Sequence, residues 1–327
     1  MKRTRFLTDT EKQMLNIVED KVNYISDWNT AMDLFLKDCE LRGLRDATIF
    51  YYLKEIQMIF RYWRELSLEI PPNKLTSDNI TDLILFMKNE KQLSPSTINI
   101  RIRAFKTLIK WLFDNKKIPK NVGEGIKRLK SRQPVIETFS IEQINRFINV
   151  IEKNTWIGVR DLAICYVLLE CGLRQNELLN LNVFDVVFEQ NYILVRHAKT
   201  YKMRKVPITE PTKHAINRWL TIRGESNYSQ LFINISGNQL TNRGLYQLIE
   251  KYGKRAKIEG VRCSPHTFRH TMAKLYLRNG GDLFSLQSIL GHINIEQTKI
   301  YVTLHHDDIA EIHAEHSPLN AILKKRD

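Results

Sequence analysis

Six side chains in the second half of this 327-residue sequence are of the types that grip phosphate and move protons: Arg174, Lys199, His266, Arg269, His292 and Tyr301. Arg174 lies in the stretch ECGLRQNELLNL, where Gly172 is expected to end one helix and Arg174 to open the next. A guanidinium there can present two parallel donors to phosphate oxygens. Glu177, one helical turn on, could orient that arginine or a nearby histidine; taken alone, the two residues read more readily as a surface ion pair. Lys199 falls between two strand-like runs, eight residues before Pro207, where a mobile ammonium can reach a leaving oxygen. Most lysines in basic hairpins are simply solvated. His266 and Arg269 are three apart at a helix start marked by Ser264 and Pro265, so they share one face. His292 follows Gly291, and Tyr301 comes nine residues later. Any one of these would ordinarily be structural. It is the ordered set that changes those odds.

The elements that must position these residues come from apolar periodicity and from capping signals. After a start near Glu137, Ser140 reads as an N-cap followed by Ile144, Phe147, Ile148 and Ile151, and Val159 to Glu170 is apolar enough for a buried helix. Strand-like runs follow at Val183 to Phe188, Tyr192 to His197 and Lys205 to Ile208. Helical patterns resume from Thr212; Gly280 and Gly281 end one helix, and Leu283 to Leu290 form another. The first half reads differently. Three helical segments, Asp27 to Arg42, Asp46 to Leu66 and Ser77 to Glu90, precede a fourth that Ser94 and Pro95 open. Its stripe is Ile98, Ile102, Phe105, Ile109 and Leu112. A short helix within Thr8 to Val22 is also expected.

Charge is concentrated in that fourth helix and beyond it. The chain carries 50 Lys and Arg against 36 Asp and Glu, a formal net charge of +14, which favours a polyanionic partner through counterion release. From Ser96 to Arg132 there are 11 Lys or Arg opposed only by Asp114 and Glu124. Arg101, Arg103, Lys106, Lys110, Lys127 and Lys130 are therefore the candidate DNA-binding residues, with a solvated helix face as the other reading. Domains are expected at 22–115 (helical, DNA-binding) and 136–327 (catalytic, with a C-terminal tail), joined by a basic linker at 116–135 and preceded by an extension at 1–21. No segment is apolar over the ~18 positions of a membrane span. No secretory h-region follows the charged start. The four cysteines have no paired spacing, so neither a disulfide framework nor a zinc site is expected, which fits a reducing cytoplasm. His305, His306, His313 and His316 lack acidic or cysteine neighbours arranged as ligands, and no metal or other cofactor is expected.

The order Arg174, Lys199, His266, Arg269, His292, Tyr301 resembles the active-site signature of the tyrosine recombinase (phage integrase) family. Thr267 to Thr303, with Leu290-Gly291-His292 and Tyr301, resembles its C-terminal box, and Gly172-Leu173-Arg174 with Glu177-Leu178 is similar to its first box. The resemblance implies a mainly α fold with a small antiparallel sheet: a helical core-binding domain plus a mixed α/β catalytic domain. It implies that Tyr301 attacks a scissile phosphodiester, that Arg174 and Arg269 clamp the non-bridging oxygens, and that Lys199 protonates the leaving 5′-oxygen. His266 would be a general base or hydrogen-bond donor, and His292 would donate to the phosphate. The partner would be double-stranded DNA, bound by a homo-tetramer on paired sites that would be a monomer or dimer when free. The tail residues Ile309, Ile312, Leu319, Ile322 and Leu323 would dock on a neighbouring subunit, and the protein would work in the cytoplasm on the nucleoid. A second reading stays open, a DNA-binding regulator that keeps this fold without strand exchange.

Overall fold

The computed structural model describes residues 24–131, 136–196 and 203–302, with isolated positions 313 and 317–319. The chain divides into two compact units, Met1–Pro134 and Val135–Asp327.

In the first unit, four helices form where the periodicity places them: α1 (Trp28–Leu41), α2 (Asp46–Glu65), α3 (Ser77–Asn89) and α4 (Pro95–Asp114). Local chemistry starts three of them. The side chains of Asp27, Thr76 and Ser94 accept hydrogen bonds from backbone N–H groups three residues on, covering donors that a helix start leaves unpaired. α4 is the centre of the unit and packs against the other three. Ile98, Ile102, Phe105, Leu108, Ile109 and Leu112 are all buried in its core. Each such side chain contributes roughly 1.5–3 kcal/mol of transfer free energy.

The stretch expected to be a linker is, through residue 131, a strap on this unit. Ile118 is buried and Val122, Ile126 and Leu129 pack on the same core. Asn99 in α4 bonds both the N–H and the C=O of Leu129, and the Lys106 ammonium donates to the Ile126 carbonyl. The apolar residues among the cations were the sign of it: Val122, Ile126 and Leu129 follow at steps of four and three, and their burial ties the strap down.

The second unit is built around α6 (Trp156–Cys171), a helix buried on most sides, which packs against α8 (Glu210–Arg223) and α10 (Pro265–Arg278). It is preceded by α5 (Ile141–Asn149), whose capping box pairs Ser140 with Gln143. A short α7 (Gln175–Leu179) leads into a three-stranded antiparallel sheet in the order β1 (Val186–Val187), β2 (Tyr192–Arg196), β3 (Met203–Pro207). The first strand is shorter than its sequence suggests, because Val183–Asp185 closes a 3-10 turn in which Asp185 accepts from the Asn182 N–H. In the longer pairing Ile193 faces Val206 and Val195 faces Arg204. α9 (Asn242–Arg255), α11 (Leu283–Leu290) and the single turn α12 (Glu296–Lys299) complete the unit. Among the described residues no helix is long and apolar enough to cross a membrane.

Candidate active site

Arg174 is the N-cap residue of α7, placed there because Gly172 ends α6 in the left-handed conformation at φ 56°. A Cβ on Gly172 would stand 2.9 Å from Leu290 Cδ2 and 3.0 Å from Met272 Sδ, so glycine is needed for shape as well as for backbone angle. The turn leaves the Gly172 carbonyl facing α10, where it accepts from Arg269 Nη1 at 2.6 Å. Arg269 Nη2 donates to the Leu290 carbonyl at 2.9 Å. Arg174 Nη1 reaches the same carbonyl at 3.5 Å, and Arg174 Nη2 reaches the Gly291 carbonyl at 3.3 Å. Two guanidiniums from distant elements are thus held side by side at the C-terminal end of α11. Burial and the neighbouring Arg174 charge bring Arg269 down to about 10.

A third arginine, Arg204 of β3, completes the cluster. Its Nε donates to the Ile289 carbonyl at 2.7 Å, and its two terminal nitrogens hold both oxygens of Glu177 at 3.0 and 2.8 Å. Glu177 also accepts from Arg174 Nη1 at 2.9 Å and from the Arg174 backbone N–H at 2.8 Å. Burial alone would raise the Glu177 carboxyl. The hydrogen bonds and charge of Arg204, then those of Arg174, outweigh it and hold the group at about 2. Three guanidiniums thus meet at the end of α11 with one carboxylate, which pairs with two of them, leaving a cationic excess. Arg204 was not among the sequence candidates. Its signal, an arginine five residues beyond Lys199, does not stand out among the basic residues of that hairpin.

His292 lies just beyond α11, after Gly291, and is held at both ring nitrogens. Nδ1 is 2.8 Å from Thr298 Oγ1 and Nε2 is 2.8 Å from Arg269 Nη2. A guanidinium only donates, so Nε2 is the acceptor here and the neutral ring carries its proton on Nδ1. Burial, followed by the charges of Arg269, Arg174 and Arg204, brings His292 down to about 4. In this arrangement Nε2 has no proton to give a phosphate, contrary to the role the sequence resemblance implied. That role requires Arg269 to release His292 first.

His266 sits in the first turn of α10, whose start is fixed by the Ser264 side chain accepting from the Thr267 N–H and by Pro265. It is exposed, and partial desolvation with the charges of Arg269 and Arg174 holds its imidazole below the ordinary value. Tyr301 is only 1% exposed and packs with Met272, Ala273, Leu286 and Leu290. Its hydroxyl lies 2.7 Å from Nδ1 of His270, a residue of α10 that was not among the sequence candidates. Burial raises the Tyr301 phenol, and the charges of Arg269 and Arg174 oppose that rise. Lys199 lies outside the described residues, as do His305, His306 and His316; His313 is exposed. Of the tail residues, Leu319 is described and is exposed. Among the described residues no three His, Cys, Asp or Glu side chains stand close enough to hold a metal ion.

In the first unit the basic candidates divide. Arg101 turns inward, 13% exposed, with Nη1 2.6 Å from the Tyr62 hydroxyl and Nε 3.4 Å from Glu55. It is a packing residue, not a free cation on the surface. Lys106 is engaged with the strap, and Lys110 pairs with Asp114 at 2.9 Å. Arg103, Lys127 and Lys130 are exposed or partly so. Arg103, Lys106, Lys110, Lys127 and Arg128 line one groove between α4 and the strap, with a volume near 540 Å³.

A helical unit ahead of a mixed unit with a small sheet, and arginines and histidines gathered beside a buried tyrosine, define a class of DNA strand-transfer proteins, and sequence comparison agrees. The phage integrase family profile matches residues 137–308, and the profile of the phage integrase N-terminal SAM-like domain matches residues 32–118. The chain belongs to the phage integrase family, the site-specific DNA recombinases of the tyrosine type. It is 25% identical over 287 residues to the tyrosine recombinase XerC of Proteus mirabilis, covering 86% of this chain and 92% of that one. With the XerC of Actinobacillus pleuropneumoniae it shares 29% over 246 residues, 75% of this chain and 79% of the other. Among solved structures, the Tn1549 transposon integrase in complex with transposon right end DNA superimposes with a TM-score of 0.70 at 23% identity, covering 88% of this chain and 99% of that chain. A lambda integrase dimer bound to a COC′ core site gives 0.72 at 16%, covering 88% and 80%. These two likenesses establish the fold.

Proposed function

We propose that Tyr301 is the nucleophile of this recombinase, attacking a scissile phosphodiester of duplex DNA held by Arg174 and Arg269. The observation that carries this reading is the cationic excess at the end of α11: three guanidiniums and the one carboxylate of Glu177, with Arg174 and Arg269 side by side and close enough to Tyr301 for their charge to act on its phenol. A partly buried positive cluster of this kind suits a bound anion and the charge that builds on phosphorus during attack.

The bond changes balance without an external energy source. The Tyr301 oxygen bonds to phosphorus and gives up its proton, while the bond from phosphorus to the 5′-oxygen breaks and that oxygen takes a proton from Lys199. The products are a 3′-phosphotyrosine and a free 5′-hydroxyl, and the reverse attack by a 5′-hydroxyl rejoins the strand. His266, exposed in the first turn of α10, is free to donate to a phosphate oxygen. When Arg269 turns to the phosphate, His292 Nε2 can take up a proton and donate as well, with the Thr298 hydroxyl accepting from Nδ1 throughout. A tetramer on paired sites, with tail segments exchanged between subunits, is the assembly in which two strands could be traded. Such work on chromosomal DNA belongs in the cytoplasm, on the nucleoid.

The test is a nicked duplex containing a candidate site, from which escape of a short 5′-hydroxyl fragment prevents rejoining. The wild-type protein should become covalently attached to it, and Tyr301→Phe should bind equally well and form no adduct. Tight, specific binding by the wild type without any adduct would leave the DNA-binding regulator as the function.

A further inference from the structure

The sequence resemblance implies His266 as a general base or hydrogen-bond donor, but the imidazole that touches Tyr301 is that of His270. We infer that His270 is a catalytic residue of the strand-transfer reaction. It takes the Tyr301 hydroxyl proton as the phenolic oxygen bonds to phosphorus, and returns it to the same oxygen when the 5′-hydroxyl displaces the tyrosine. The inference rests on the reading of Tyr301 as nucleophile and adds the group that activates it.

Geometry is the first support. The Nδ1 to hydroxyl distance of 2.7 Å is that of a short, well-formed hydrogen bond, and the two rings are tilted at 50° with centroids 5.6 Å apart. His270 is carried by the interior of α10, four residues after His266 and next to Arg269. One rigid helix thus supplies a phosphate ligand and, beside it, a partner for the nucleophile. The Tyr301 ring is itself packed among Met272, Ala273, Leu286 and Leu290, so the hydroxyl is held against His270 rather than free to turn.

Proton accounting is the second. A phenol pushed up by burial does not ionise spontaneously near neutral pH, so its proton must leave during the attack to a base within reach. His270 is kept able to accept: burial, and the charges of His266 and Arg269 on its own helix, hold its imidazole below the ordinary value. With Nδ1 accepting from the hydroxyl, the neutral ring carries its proton on Nε2. His266 is exposed one turn earlier on the helix, where it can serve the phosphate. His292 is already engaged at both nitrogens, by Arg269 and Thr298.

The experiment measures adduct formation on the nicked substrate by the full-length chain. His270→Asn keeps a polar group near the hydroxyl but cannot take its proton; it should bind DNA like the wild type and react roughly 10²-fold or more slowly. His270→Ala should be as slow, and added imidazole should restore part of its rate while leaving His270→Asn unchanged. His270→Asn reacting at the wild-type rate would overturn the assignment, since His270 would then only hold Tyr301 in place. So would a His270→Ala protein that imidazole does not accelerate. Absence of an adduct with the wild type would instead bring down the nucleophile reading itself, a result distinct from both.

Discussion

Glu177 sets where Arg174 and Arg204 point. Glu177→Gln keeps the shape and removes the charge, leaving two guanidiniums without their counterion. Adduct formation should fall on the order of 10²-fold, the scale seen when one preorganised donor is misplaced. The same carboxylate makes stability depend on pH. Its folded value, about 2, lies below the ordinary 4.5, so its contribution is fully present above about pH 4.5 and disappears as the pH falls toward 2. Between pH 7 and pH 3 that amounts to roughly 2 kcal/mol. Urea midpoints at the two pH values should show this decline in the wild type and a smaller one in Glu177→Gln; equal declines would mean the pairing carries no linkage. In the proposed reaction Lys199 protonates the leaving group. Lys199→Ala should retain DNA affinity, cleave slowly, and recover on a substrate whose bridging 5′-oxygen is replaced by sulfur, which leaves without a proton. Equal impairment on both substrates would remove Lys199 from the role.

Between elements, the end of α11 is the joint that holds the site together. The carbonyls of Ile289, Leu290 and Gly291, which a helix end leaves without intrahelical partners, receive Arg204, Arg269 and Arg174. Gly291 is left-handed at φ 63°, and a Cβ there would come within 2.9 Å of Arg204 Nη1. Gly291→Ala should therefore cost about 1–2 kcal/mol in backbone strain. It should also slow adduct formation by shifting Arg204 against Glu177. Thermal melting and the adduct rate measured together check this, and a variant with wild-type values in both would show that the joint tolerates displacement.

Each unit of the molecule has its own core, and the net charge of +14 is unevenly shared between packing and solvent. Arg101 spends its charge on Glu55 and Tyr62, whereas Lys127 and Lys130 are carried on the strap. Replacing Lys127 and Lys130 by alanine should flatten the dependence of log affinity on log salt by up to about 0.9 for each phosphate that is no longer neutralised. Arg101→Ala should leave that slope unchanged and lower the melting temperature of the first unit. A slope change with Arg101→Ala, or none with the lysine pair, would reverse the division.

What the sequence determined by itself is whatever depends on near neighbours along the chain. Ser94, Ser140 and Ser264 cap the helices they precede, and the stripe from Ile98 to Leu112 faces a core, because caps and periodicity act within a few residues. The ordered set from Arg174 to Tyr301 was legible for another reason: unusual residue types at family spacing can be recognised without knowing what they touch. The tertiary structure decided which residues far apart in the chain meet. Glu177 meets Arg204 across 27 residues, Arg101 meets Glu55 across 46, and Tyr301 meets His270 across 31. No periodic signal encodes such pairs. His270 did carry a local hint, standing next to Arg269 and one turn beyond His266, on a helix already marked as chemical. Only the packing of α10 against the segment that carries Tyr301 could say that His270 is the imidazole meeting its hydroxyl.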